Sequence, residues 1–83
     1  MPKKTIVYLY KRKYPIIENK LDNISDKFRC QVMQVTPSRA FAFGISKVPA
    51  LIVIDKNGEV RVRQQGLESI NNYLDLIDDK KQS

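Results

Sequence analysis

The chain has 83 residues, 42% hydrophobic and 29% charged, with a net charge of +6, values of one small globular domain (1–83) that buries roughly 60–65% of the surface its unfolded form exposes. Its longest apolar run, Val48 to Ile54, falls far short of the ~20 residues that cross a bilayer, and Ile6 to Tyr10 is too short for a secretory core, so neither membrane insertion nor export is expected and the cytoplasm (the host's, for a viral chain) is the expected location. A single cysteine, Cys30, excludes an internal disulfide, and the lack of histidine removes the commonest general base and metal ligand, so no cofactor is expected.

Thr5 to Tyr10 (Thr-Ile-Val-Tyr-Leu-Tyr) is β-branched and aromatic with apolar groups on both alternating faces, which predicts a first strand covered on both sides. After Lys11-Arg12-Lys13, Pro15 stands where a first helical position tolerates a missing N–H. Ile17, Leu21, Ile24 and Phe28 then recur at helical spacing and predict a helix over 15–28. Cys30 to Val35 reads as a second strand. Thr36-Pro37 makes an N-cap and proline start, and Gly44 a stop, for a short helix over 37–43.

Val48 to Ile54 is strand material, and Asp55-Lys56-Asn57-Gly58 is a tight turn. Glu59 to Gln64 alternates Val60 and Val62 with Arg61 and Arg63, as an edge strand with one wet side does. Gly66 interrupts the chain before Leu67, Ile70, Leu74 and Ile77 mark a last helix over 67–79. The ends, 1–4 and 80–83, are expected to be loosely held. The order is βαβαββα: two strands made parallel by a helical crossover, then an antiparallel hairpin.

The positive charge is uneven. Residues 1–20 sum to +5, 21–38 to zero, 39–66 to +3 and 67–83 to −2. Such polarity raises encounter with anionic partners and says nothing about fold.

The segment Phe43-Gly44-Ile45-Ser46-Lys47-Val48-Pro49-Ala50-Leu51, continuing to Gly58, resembles the aromatic-Gly-Ile-x-x-Val-Pro-Thr-Leu signature of the thioredoxin and glutaredoxin superfamily, and Gly66 resembles that family's glycine before the last helix. The similarity runs from Ile6 to Ile77. It implies a compact α/β thioredoxin-like fold, a four-stranded mixed sheet flanked by three helices. The family's active site is Cys-x-x-Cys at the start of the first helix, where this chain has Tyr14-Pro15-Ile16-Ile17. Thiol exchange needs a thiolate at the helix N-terminus and a second thiol to resolve the mixed disulfide. A phenol and an aliphatic group do neither, so the resemblance implies the scaffold without the activity, and the chain is not expected to be an enzyme.

What the resemblance leaves at that face is a pair of neighbouring loops, Lys11-Arg12-Lys13-Tyr14 with Pro15, and Lys47-Val48-Pro49. It implies a cis Val48-Pro49 peptide and a Val48 backbone able to pair with an extended peptide or a γ-glutamyl tripeptide. Tyr14 offers the helix no side-chain cap, and Lys11, Arg12, Lys13 and Lys47 surround that terminus, a combination that attracts anions. Phe41 occupies a position where the family has a polar residue, so it is expected to face solvent and to meet a protein.

The function expected from these readings is a redox-inactive module that binds a protein partner, an acidic one by its charge, through the vestigial active-site face. One alternative is a nucleic-acid binder using Lys3, Lys4, Lys11, Arg12, Lys13, Arg61 and Arg63, although Tyr8 and Tyr10 lie on an internal strand and no nucleic-acid motif is present. Another is a monothiol redox protein working through Cys30, which otherwise reads as a structural thiol away from the active-site loop.

Overall fold

The computed structural model describes residues 4–82. The loose ends expected at 1–3 and at Ser83 lie outside the described residues. The elements are β1 (Thr5–Tyr10), α1 (Pro15–Ile24), β2 (Arg29–Gln34), α2 (Pro37–Phe43), β3 (Ala50–Ile54), β4 (Val60–Gln65) and α3 (Leu67–Gln82). They form one mixed sheet in the order β2-β1-β3-β4, with β1 parallel to β2 and antiparallel to β3, and β3 antiparallel to β4.

Alternation along the two central strands builds two cores. Ile6 and Tyr8 of β1 and Leu51 and Val53 of β3 face α1 and α3, where Ile17, Leu21, Ile24, Ile70 and Leu74 close over them. Val7, Leu9, Ala50 and Ile52 face the other way, toward Ile45 and the half-buried Ala40 and Phe43 of α2. Burial on both sides is why β1 and β3 carry apolar residues at every interior position.

Strands β2 and β4 are each displaced by one residue from the spans expected, 30–35 and 59–64, and three further boundaries differ from the sequence reading for physical reasons. Helix α1 ends at Ile24 rather than 28: the Ser25 hydroxyl donates to the Asp22 carbonyl (2.9 Å), and Lys27 and Phe28 both turn their amides back to the Ile24 carbonyl. Phe28 still packs on the core from that turn, so the apolar stripe outlasts the helix. Strand β3 starts at Ala50 because Pro49 has no N–H to give, and its carbonyl accepts from Gly66 (2.8 Å). Helix α3 runs to Gln82, past the 67–79 span.

A last difference is within β4. Val53 pairs with Val62 and Ile54 with Val60, with an irregularity between them. That bulge puts Arg61 outside the ladder count, so Val60 packs into the α2-side core and Val62 into the α1/α3-side core, where strict alternation would set both on one face. Among the described residues no helix is long and apolar enough to cross a membrane.

Candidate functional site

The sheet brings the loop after β1 and the loop before β3 to the same end of the molecule, because β1 and β3 are antiparallel neighbours with Leu9 opposite Ala50. Lys11, Arg12, Tyr14, Val48 and Pro49 line one open cleft of about 460 Å³. A second cleft of about 430 Å³ adjoins it, sharing Lys11 and Val48 and walled by Val35, Pro37, Ala40 and Ile45. Among the described residues no carboxylate lines either one.

Tyr14 is the N-cap of α1, with extended backbone (φ −121°, ψ 106°) and no side-chain cap. The first turn nevertheless has few loose donors. Pro15 has none, and Ile17 (3.0 Å) and Glu18 (3.2 Å) both donate to the Tyr14 carbonyl. Within that turn the Ile16 amide alone is left without a partner among the described residues. Its side chain is exposed too, since Ile17 takes the inward position on the helical stripe.

The Val48–Pro49 peptide is cis. The loop that carries it is pinned by Gln65, whose Oε1 accepts from the Ser46 amide (3.0 Å), the Ser46 hydroxyl (3.2 Å) and the Lys47 amide (3.0 Å). Val48 itself spends neither its N–H nor its C=O on another described residue. Gln65 and Ile16 were not singled out from sequence. Nothing local marks a glutamine that acts across eighteen positions, whereas Ile16 could have been found as the apolar residue left off the stripe of Ile17, Leu21 and Ile24.

The remaining residues expected at this face are placed less directly. The Lys13 ammonium lies over the Tyr10 ring, 5.8 Å from its centroid, and Lys47 lies along Gly66, its Nζ 3.9 Å from where a Cβ would stand. Neither lines the first cleft, although Lys47 reaches the second. Lys11, Arg12, Lys13 and Lys47 are exposed and form no ion pair among the described residues. Phe41 is 90% exposed on α2 and lines neither cleft.

The residues that only the alternative readings use lie elsewhere. Arg61 donates to Asp55 (2.8 Å) and approaches Glu59 (3.8 Å), while Arg63 donates to the Phe43 carbonyl (3.0 Å). Tyr8 is fully buried, and Tyr10 stacks on it at 5.9 Å. Lys3 is outside the described residues. Cys30 is half-buried on β2, with its thiol directed to the Leu21 and Phe28 carbonyls (3.6 and 3.8 Å). It pairs with Ile6, which lies roughly 16 Å along the strand from Lys11.

No protein-family model matches the sequence, and no curated protein matches it either. Solved structures do. A structure described as that of a malarial protein is 16% identical, with a TM-score of 0.61, over 93% of this chain and 96% of that one. A solution structure of a thioredoxin-like protein in the oxidized form is also 16% identical, with a TM-score of 0.61, over 89% of this chain and 78% of that one. A crystal structure of a designed protein is 17% identical, with a TM-score of 0.66, over 98% of this chain and 78% of that one. The chain has a thioredoxin-like α/β fold.

Proposed function

We propose that this thioredoxin-like module is non-catalytic and holds an extended, acidic segment of a protein partner at the face where its fold places Tyr14 beside Val48-Pro49. The observation that carries this reading is the backbone of Val48, unspent among the described residues, between two clefts that no described carboxylate lines. An extended segment laid along Val48 gains main-chain hydrogen bonds independent of its sequence. Its carboxylates meet Lys11 and Arg12, and one of them can accept from the Ile16 amide at the positive end of α1. Ile16 adds exposed apolar area beside the cleft, and Phe41 offers a further contact from α2. Thiol chemistry has no reagent here: Tyr14 is a phenol and Ile17 is buried aliphatic surface.

The test is titration of the labelled full chain with a Glu-rich peptide and with a Lys-rich peptide of equal length, at low and at physiological salt. Saturable amide shifts are expected at Lys11 to Ile16 and at Val48 for the acidic peptide only. The affinity is expected to fall roughly tenfold or more in the Lys11→Glu/Arg12→Glu variant and to weaken as salt rises. Shifts spread over β4, or mixed RNA and DNA binding more tightly than peptide, would overturn the reading in favour of a nucleic-acid surface. Insulin reduction above the dithiothreitol background would overturn the non-catalytic part and point to Cys30.

A further inference from the structure

A second recessed surface lies at the opposite end of the sheet, independent of the peptide reading. Helices α1 and α3 are bridged by Lys20, which donates to Asn71 and Asp75. Beyond that bridge α1 ends at Ile24 while α3 continues to Gln82. The sheet beneath the longer helix is therefore left partly uncovered where α1 has already turned into the loop before β2. The result is a cleft of about 320 Å³ whose apolar walls come from Phe28, Val53, Val62, Tyr73 and Ile77.

The rim of that cleft is cationic. Lys4, Lys27 and Arg61 line it, and among the described residues no carboxylate does. Arg61 is already committed to Asp55 and Glu59. Lys4 and Lys27 make no ion pair among the described residues. Two unspent ammonium groups over an aromatic and aliphatic floor are complementary to a molecule that is apolar at one end and negative at the other. Tyr73 forms part of the cleft wall, and burial pushes its hydroxyl above the usual tyrosine range.

We propose that this cleft binds a small amphipathic anion: an aromatic or short acyl body seated on Val53, Val62 and Phe28, with one carboxylate or phosphate held by Lys4 and Lys27. The volume of about 320 Å³ sits at the low end of small-molecule sites, roughly 300 to 1,000 Å³, which admits such a ligand.

Naphthalene-2-carboxylate is the probe, with the neutral naphthalene-2-methanol as its control, each titrated into the labelled full chain. The carboxylate is expected to give saturable shifts at Phe28, Val62 and Tyr73, and to bind at least about tenfold more tightly than the alcohol. Lys4→Gln/Lys27→Gln, which alters only the rim, is expected to lower the carboxylate's affinity roughly tenfold with an unchanged melting temperature. Lys11→Gln/Arg12→Gln is expected to leave the curve unaltered. Equal affinity for acid and alcohol, shifts centred on Lys11 and Val48, or no saturation at millimolar probe would each overturn the proposal.

Discussion

Tyr8 carries a large ring into the core and a hydroxyl that the core does not answer. The residue is 0% exposed, and its oxygen makes no hydrogen bond among the described residues. Burial, then the nearby Glu18 carboxylate and the Tyr14 phenol, push its pKa up to about 12, against a Tyr14 backbone contact whose geometry falls short of a hydrogen bond. An unanswered buried hydroxyl costs about 1–3 kcal/mol. Tyr8→Phe keeps the ring and removes that cost, so the variant is expected to gain about 1 kcal/mol in urea unfolding at pH 7. The raised pKa means that the fold favours the neutral phenol. That contribution is complete below the ordinary value of 10.0 and is lost as pH climbs through about 12. The stability gap between variant and native chain should therefore widen on the alkaline side, which a urea series from pH 7 to about 11.5 reads directly. A hydrophobic pattern places Tyr8 inside without saying whether its oxygen finds a partner. The directions of Lys13 and Lys47 are illegible for a similar reason: a long side chain goes where its neighbours leave room, here Tyr10 and Gly66.

At the scale of elements, α2 depends on its ends. None of its seven residues is fully buried. Thr36 Oγ1 accepts the Arg39 amide (3.2 Å), and Gly44 closes the helix at φ +68° with its amide directed to the Ala40 and Phe41 carbonyls. The Arg39 guanidinium adds a strap to the Gln34 carbonyl (2.7 Å). Thr36→Ala is expected to cost about 1 kcal/mol through the lost cap. Gly44→Ala is expected to cost about 1 kcal/mol because a Cβ disfavours that left-handed backbone, while the Arg63 guanidinium it would meet lies at ordinary contact distance (3.7 Å). Thermal unfolding of the two variants and their double checks both values. These boundaries were legible because the Thr-Pro start and the glycine stop act locally. The end of α1 was not, since the stripe through Phe28 is satisfied equally by a helix or by a turn that delivers the same side chain. The bulge in β4 was not either: Val60 and Val62 alternate with arginines whether or not an extra residue shifts the second half of the strand.

Over the whole molecule, the antiparallel β1–β3 pairing gathers one set of loops at the Tyr14–Val48 end and the other near the Asp55 turn. The first end was legible because its residues sit in one contiguous motif and one loop. The distal cleft was not, because its walls come from α1's trailing turn, β3, β4 and α3, and no window of sequence contains them together. The Asp55 turn is organised by one carboxylate: Oδ1 accepts the Asn57 (2.8 Å) and Glu59 (3.0 Å) amides, and Oδ2 accepts Arg61 Nε (2.8 Å). The Glu59 amide foremost, with Arg61 and Asn57, holds the Asp55 pKa below its ordinary 3.8. The ionised form therefore supports the fold above that value, and its support is lost as pH falls through the lowered one. Asp55→Asn should unfold at lower urea than the native chain at pH 7, and the two midpoints should converge in the acid limb below about pH 3.8.

The glutamine that ends β4 gives this geometry a mechanical side. Because Gln65 grips the corner at Ser46 and Lys47, the approach to Pro49 is moored to the outermost strand of the sheet. That corner arrives at an encounter already rigid, sparing a visitor the expense of freezing it. By the same mooring, fraying that starts at the far hairpin travels up β4 and slackens the doorway, so the two extremities of the molecule should melt as a single unit.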